Sequence, residues 1–380
     1  MRFLLLSTPY QGHISPTFSL ARELISLGHQ VDYLTNEKWA EEVRETGAGL
    51  ITYPQDEADL AGTLSKAYQT AIAHKGDYDS LIFDEFNFTG RALADDMGIP
   101  GIRFFPCVAM NERIIAPMLQ GNGVMRIFSD PKVLEFITNS VREQTGNSDI
   151  SDTIDEAANR SPALNVVFVS EWFQPDIETF PRDKYKFVGP SIRETTTELP
   201  SWLQIDSTRP LVYLALGTID NMHPDLYRKF LSAFEDIPAN FILSVGDQVQ
   251  LSDLGEIPAN CQVYPVVPQN AILGVADLFI THGGMNSVNE ALVNGVPMIV
   301  VPLSNDQPIN AEQVARLGNG LTSDPDNLDV ESIVRLVNTA LNDDEMKSRA
   351  KELQGRLAGR DGGIEAAREI NTFLSSQQPS

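Results

Sequence analysis

Two stretches of this 380-residue chain concentrate side chains able to move a proton or hold phosphate. The first is Thr8-Pro9-Tyr10-Gln11-Gly12-His13-Ile14-Ser15-Pro16, directly after an apolar run. Histidine is the side chain best poised to take a proton near neutral pH. Ser15 is a good N-cap and Pro16 a good first helical residue, so a helix is predicted to start there, with His13 in the loop before it. Asp84 follows the apolar run Leu81-Ile82-Phe83 in the same way. A carboxylate bonded to one imidazole nitrogen fixes the tautomer and stabilises the imidazolium formed when the ring takes a proton. Two readings compete with that pairing. Asp84 is also placed to cap the next helix, and Glu85 is a rival partner whose side chain should point to the opposite side. Among the other histidines, His29 joins a helix end to a strand and reads as structural, while His74 and His223 have no evident partner. The acidic triplet Asp77-Tyr78-Asp79 reads as a solvated turn rather than a metal site.

The second stretch runs from Pro265 to Gln313. Thr281-His282-Gly283-Gly284-Met285-Asn286-Ser287 follows a strand and opens a helix. Small residues let a ligand approach the backbone, and the N–H groups of a helix start form an anion site. From Phe230 to Ala315 there is no Lys or Arg, yet nine acids occur. A phosphate held here therefore relies on backbone donors, the helix dipole, hydroxyls and His282, and needs no metal. Glu290 lies one turn along the same helical face, where a carboxylate suits ribose hydroxyls. Asp306-Gln307-Pro308 pairs a carboxylate with an amide, a combination suited to sugar hydroxyls. Taken singly, a cap for Asn286 and a turn for Asp306 explain these residues equally well; the ordered set is harder to dismiss.

The elements that must position these residues alternate throughout. Phe3–Leu6, Val31–Leu34, Leu50–Tyr53, Leu81–Phe83, Ile102–Phe105 and Val166–Val169 read as strands. So do Leu211–Leu216, Phe241–Val245, Gln262–Val266, Leu278–Thr281 and Met298–Val301, with helical patterns such as Thr17–Leu27, Asn286–Val293 and Asn310–Leu317 between strands. This is an α/β protein with buried parallel sheets. The polar, proline-bearing stretch 189–209 divides the two series, which predicts Rossmann-like domains over 1–195 and 206–360 and a C-terminal helix and tail over 361–380. In such folds the ligand site lies beyond the carboxyl ends of the strands, here in the cleft between the halves.

Composition narrows the partners. The net charge is −24, with 28 bases against 52 acids spread evenly along the chain. That argues against nucleic acid or an anionic membrane surface as partner, since both select clustered Lys and Arg. No stretch approaches the ~20 apolar residues of a membrane span. Two distant cysteines, Cys107 and Cys261, fit neither a disulfide framework nor a zinc spacing and suit a cytoplasmic location.

The whole set resembles the UDP-glycosyltransferases of the GT-B fold, nearest the bacterial macrolide-glycosyltransferase branch. The resemblance rests on Gly12-His13-x-x-Pro16, Val267-Pro268-Gln269, Thr281 to Ser287, Glu290 and Asp306-Gln307-Pro308. It implies two facing Rossmann-like domains, acceptor on the first and nucleotide sugar on the second. His13 then resembles the general base and Asp84 its orienting carboxylate. Gly217 and Thr218 resemble the loop beside diphosphate and sugar, and Val267 and Gln269 the nucleobase contacts. His282, Gly283, Gly284, Met285, Asn286 and Ser287 resemble the diphosphate grip, Glu290 the ribose ligand, and Asp306 with Gln307 the sugar-holding pair. The implied reaction is inverting transfer of a hexose, glucose from UDP-glucose, to a small lipophilic hydroxyl acceptor such as a phenol, flavonoid or macrolide, with no cofactor and no metal. One departure stands out. Family members commonly carry Trp before the Val/Ala-Pro-Gln segment, whereas this chain has Val266, which opens the base site to thymidine and other nucleotides. A sugar-nucleotide epimerase or hydrolase, a lipid glycosyltransferase and a non-catalytic nucleotide-sugar binder are the rival readings.

Overall fold

Apolar runs buried on both faces build one parallel sheet in each half of the chain. The computed structural model describes residues 1–54, 59–120, 124–191, 198–217 and 222–377. The first sheet comprises β1 (Arg2–Leu6), β2 (Gln30–Thr35), β3 (Gly49–Thr52), β4 (Ser80–Asp84), β5 (Gly101–Phe105), β6 (Leu164–Val167) and β7 (Tyr185–Phe187). The second comprises β8 (Leu211–Ala215), β9 (Asn240–Ser244), β10 (Cys261–Tyr264), β11 (Leu278–Thr281), β12 (Met298–Val300) and β13 (Gly320–Thr322). Strand orders are β3-β2-β1-β4-β5-β6-β7 and β10-β9-β8-β11-β12-β13, and the paired strands run parallel. Each sheet is thus a doubly wound fold with a topological switch point, between β1 and β4 in the first and between β8 and β11 in the second. Connections leave in opposite directions there, which opens a crevice at the strands' carboxyl ends.

The chain divides into two units, Met1–Arg193 together with Arg360–Ser380, and Glu194–Gly359. The C-terminal helix Gly362–Gln377 therefore belongs to the first unit. Its Ala366, Ala367, Ile370 and Leu374 share a core with Phe18, Leu20, Ala21 and Leu24 of helix Thr17–Ser26. A Cβ at Gly363 would lie 2.5 Å from Ser19 Cβ and 2.6 Å from the Leu20 nitrogen, so glycine permits the close approach. Asp361 fixes the entry to that helix by accepting from Ser19 Oγ at 2.9 Å and from the Gly363 N–H at 2.7 Å. The second unit has its own core, in which Phe234 stacks on Phe241 with ring centroids 3.8 Å apart.

Two strands escaped the sequence reading, β7 and β13. Both are three-residue sheet-edge strands, partly exposed, with too few residues to show a pattern. The expected start of the first long helix is also different. A single helical turn, Gln11–Ile14, precedes Thr17–Ser26, and Ser15 and Pro16 both hold right-handed helical backbone between them. Ser15 Oγ makes no hydrogen bond, so it caps nothing. His13 accordingly sits on a helical turn rather than in an open loop. No helix among the described residues is long and apolar enough to cross a membrane.

Candidate functional site

The first unit's switch point brings His13 and Asp84 together. β1 leads into the turn carrying His13, and neighbouring β4 ends on Asp84. His13 Nδ1 lies 2.9 Å from Asp84 Oδ2 and 3.1 Å from Oδ1. Asp84 is fully buried, and two further donors hold it: Thr8 Oγ1 to Oδ2 at 2.9 Å, and the Phe86 N–H to Oδ1 at 2.8 Å. The next helix, Gly90–Met97, begins after Thr89, so Asp84 does not cap it. With Nδ1–H directed at the carboxylate, Nε2 carries the lone pair able to accept a proton. The Phe86 ring lies against the imidazole at a centroid distance of 4.7 Å, and Tyr10 approaches it edge-on at 6.3 Å.

Glu85 departs from expectation. β4 stops at Asp84 and the chain turns, with the Asn87 N–H donating to Asp84 O, so strand alternation no longer directs Glu85 away. His13, Asp84 and Glu85 each offer one metal-ligating atom within 4.8 Å of the others. Glu85 Oε1 accepts from the Cys107 thiol at 3.5 Å. Burial, reinforced by the neighbouring Asp84 charge, pushes the Glu85 carboxyl well above the usual range, and nearby His13 opposes that shift. The acidic triplet is spent on the fold. Asp79 accepts from the Arg2 N–H, Tyr78 donates to Asp32, and Asp77 pairs with His74. His29 is likewise engaged, between the N-terminal amine and Asn371.

In the second unit the switch point places Gly217 and His282 side by side, after β8 and β11. Gly217 has φ +91°, and a Cβ there would lie 2.7 Å from His282 Nε2. A Cβ at Gly284 would come within 2.5 Å of the same atom. The two glycines thus let the imidazole lie against bare backbone. Helix Met285–Asn294 starts beside it with no side-chain cap and no acid in its first turn, which leaves a positive dipole end for an anion. The Met285 side chain is core, so only its backbone belongs to this helix start. Asn286 and Ser287 stand half-buried on the first turn.

One turn further, Gln269 donates through Nε2 to Ser287 Oγ at 3.1 Å and to Glu290 Oε2 at 2.5 Å. Buried Tyr213 holds the other end of that amide, donating to Oε1 at 3.1 Å. Val267 is buried, whereas Val266 is 67% exposed. Thr218 lies outside the described residues.

Asn310 is a residue the sequence reading missed. Its Nδ2 donates to Gly283 O at 2.9 Å and to Asp306 Oδ2 at 2.8 Å, tying the loop after β11 to the start of helix Gln307–Leu317. The available signal was its place four residues after Asp306, one helical turn away. Gln307 is buried, and its Oε1 is spent on the Leu303 and Ser304 N–H groups at 2.7 and 2.9 Å. Of its polar atoms the amide nitrogen is the less engaged, with one 3.4 Å contact to Ser304 Oγ.

Among apolar residues of the first unit, Phe88, Met110, Met118 and Phe128 are core and Phe136 is 71% exposed, while the Phe86 ring lies against His13.

Residues 189–356 match the family model described as UDP-glucoronosyl and UDP-glucosyl transferase. The chain is 32% identical to the NDP-glycosyltransferase YjiC of Bacillus subtilis (strain 168), over 97% of this chain and 96% of the relative. It is 29% identical to the demethyllactenocin mycarosyltransferase of Streptomyces fradiae, over 97% and 85%. Among solved structures, the glycotransferase of kitacinnamycin superposes with a TM-score of 0.86 at 28% identity, covering 98% of this chain and 99% of the other.

Proposed function

Because this chain belongs to the UDP-glycosyltransferase family, in its macrolide-glycosyltransferase-like branch, we propose that it moves glucose from UDP-glucose, with inversion, to a hydroxyl of a small lipophilic acceptor. It is a glycosyltransferase with a nucleotide-sugar donor and a small-molecule acceptor; the donor sugar, the acceptor class and the residue roles are what is proposed. The observation that carries the roles is the His13–Asp84 pair, a half-buried imidazole held through Nδ1 by a fully buried carboxylate.

His13 Nε2 takes the acceptor proton as the acceptor oxygen attacks the anomeric carbon. Asp84 stabilises the imidazolium that results. A positioned base of this kind contributes roughly 10²–10⁴-fold. The leaving diphosphate is received at the start of helix Met285–Asn294, beside His282, where fixed dipoles stabilise its growing charge without a metal ion. Glu290 serves the ribose, with Gln269 positioned between it and the base site. Asp306 and the Gln307 amide nitrogen serve the sugar.

Phenols, flavonoids and macrolides are the acceptors in view. Phe86 and Tyr10 beside His13 favour an aromatic acceptor. Exposed Val266 offers the nucleobase an aliphatic face in place of an indole. A base-stacking aromatic is worth about 1–3 kcal/mol in single-strand binders, so discrimination between UDP and dTDP donors should be weak. Two buried free thiols, Cys107 and Cys261, favour a reducing, cytoplasmic compartment.

The test is mass spectrometry of reactions containing a panel of nucleotide sugars and a mixture of phenols, flavonoids and macrolides, with metal chelated. A hexose increment on an acceptor with release of UDP supports the reading. Nucleotide release with no acceptor gaining mass overturns it. His13→Ala should abolish transfer and leave UDP affinity intact, and loss of both together would remove the role given to His13.

A further inference from the structure

The mechanism above uses His13 and Asp84 but leaves Glu85 idle. Glu85 is only 2% exposed, and its Oε2 makes no hydrogen bond. A buried polar oxygen without a partner loses about 1–3 kcal/mol of solvation, so its surroundings call for a donor or a cation. What surrounds it is a second buried carboxylate and an imidazole, each offering an atom within 4.8 Å. Among the described residues this is the one grouping of three such side chains.

We propose that His13, Asp84 and Glu85 form an inhibitory site for a divalent cation of the zinc class, resting on the reading of His13 as the base. One ring nitrogen and two carboxylate oxygens are a donor set that zinc accepts, at about 2.0–2.2 Å per bond. Tetrahedral ligands at that bond length sit about 3.4 Å apart, so the 2.9 Å His13–Asp84 contact must open slightly and the longer spacings, up to 4.8 Å, must narrow, by side-chain rotations. The imidazole selects against magnesium, which prefers an all-oxygen octahedron. Binding displaces the proton that burial favours on Glu85, and the two carboxylates then balance the dication's charge in the buried site. His13 keeps 15% of its side chain exposed and gives the ion its way in. The fourth ligand position is left for water. An ion bound to Nδ1, the ring nitrogen that faces Asp84, leaves the ring proton on Nε2, which blocks the base and stops transfer, so the metal is an antagonist of the site and not its cofactor.

The test is equilibrium dialysis of the whole protein against zinc chloride with metal analysis, alongside zinc inhibition of glycosyl transfer. One equivalent should bind, inhibition should lower kcat and not be relieved by excess donor or acceptor, and EDTA should reverse it. Glu85→Gln keeps the shape and removes a ligand. It should weaken binding by at least the roughly 10–100-fold that loss of an outer-shell partner costs. His13→Gln, on the exposed side, provides the same test should Glu85→Gln fail to fold. His74→Ala, which removes the exposed His74–Asp77 pair, should leave binding unchanged. Absence of stoichiometric zinc, or equal binding by wild type and the ligand variants, overturns the proposal. Transfer without zinc binding refutes this inference alone; zinc binding by a protein that transfers no sugar even after EDTA treatment refutes the reading of His13 as base.

Discussion

Asp84→Asn tests the His13–Asp84 pair most sharply, because the hydrogen bonds dictate what the amide must do. Three donors converge on the carboxylate: the Phe86 N–H on Oδ1, Thr8 Oγ1 on Oδ2, and His13 Nδ1 within reach of both. An amide has one acceptor oxygen. The Phe86 N–H can only donate and claims that oxygen, leaving the NH₂ to face Thr8 and His13. The Thr8 hydroxyl can turn and accept. The amide oxygen still lies 3.1 Å from His13 Nδ1, but the NH₂ at the shorter 2.9 Å contact repels Nδ1–H and favours the tautomer protonated on Nε2, which blocks the atom meant to act as base. The imidazolium also loses its counter-charge. Opposite charges about 4 Å apart at an effective dielectric of about 20 interact by about 4 kcal/mol, close to a thousandfold in rate at about 1.4 kcal/mol per decade. The matching exchange in a Ser-His-Asp triad lowers kcat about 10⁴-fold. We therefore expect kcat to fall by about 10³–10⁴. UDP affinity should stay within about twofold, because the proposed diphosphate contacts are made by residues of the second unit and Asp84 belongs to the first. The assay is initial rate of glycoside formation at saturating donor, with UDP titrated by calorimetry and folding checked by thermal unfolding. A rate loss below about tenfold, in a variant that folds and binds UDP, would mean that Asp84 neither sets the tautomer nor stabilises the charge.

Gly217→Ala forces a side chain into left-handed backbone, at about 1–2 kcal/mol, and drives its Cβ onto His282. UDP binding should weaken by about tenfold or more in a calorimetric titration, and unchanged affinity would remove Gly217 from the diphosphate site. Gly363→Ala overpacks the seam between the C-terminal helix and Ser19, so unfolding in urea should show a loss of about 1–3 kcal/mol; a change within ~0.5 kcal/mol would mean the seam relaxes freely. Burial pushes the Cys261 thiol up to about 12, so at pH 8 it stays a thiol. Maleimide should modify it slowly in the native protein and rapidly after urea, and rapid native labelling would contradict that burial.

What the sequence disclosed and what it hid follow from the range of the interactions involved. Both sheets were visible because β1, β4, β8 and β11 are central strands, buried on both faces and therefore continuously apolar. Edge strands β7 and β13 carry no such signature, since only the partner strand defines them. His13 and Asp84 are 71 residues apart, and it is the alternation of strands and helices that places both at one switch point. Glu85 lies one residue past the end of β4, where strand alternation no longer sets the direction of a side chain. Ser15 has the right residue type for a cap, but the chain passes through it in helical backbone. Asn310 and the engaged oxygen of Gln307 depend on loop geometry that no spacing rule conveys.

The return of Gly362–Gln377 to the first unit bears on how the protein is made. Synthesis runs from the N-terminus at about 5–20 residues per second. The second unit is one unbroken segment and is completed as soon as it emerges from the ribosome. The first unit, begun earlier, must wait for its last helix, which closes contacts such as Ser19 to Asp361 across 342 residues. For roughly twenty to seventy seconds the part of Thr17–Ser26 that meets Ala366, Ala367, Ile370 and Leu374 lacks its partner helix. The order of translation and the order of completion are therefore opposite, and the apolar seam left open in the nascent chain lies just downstream of the turn that carries His13.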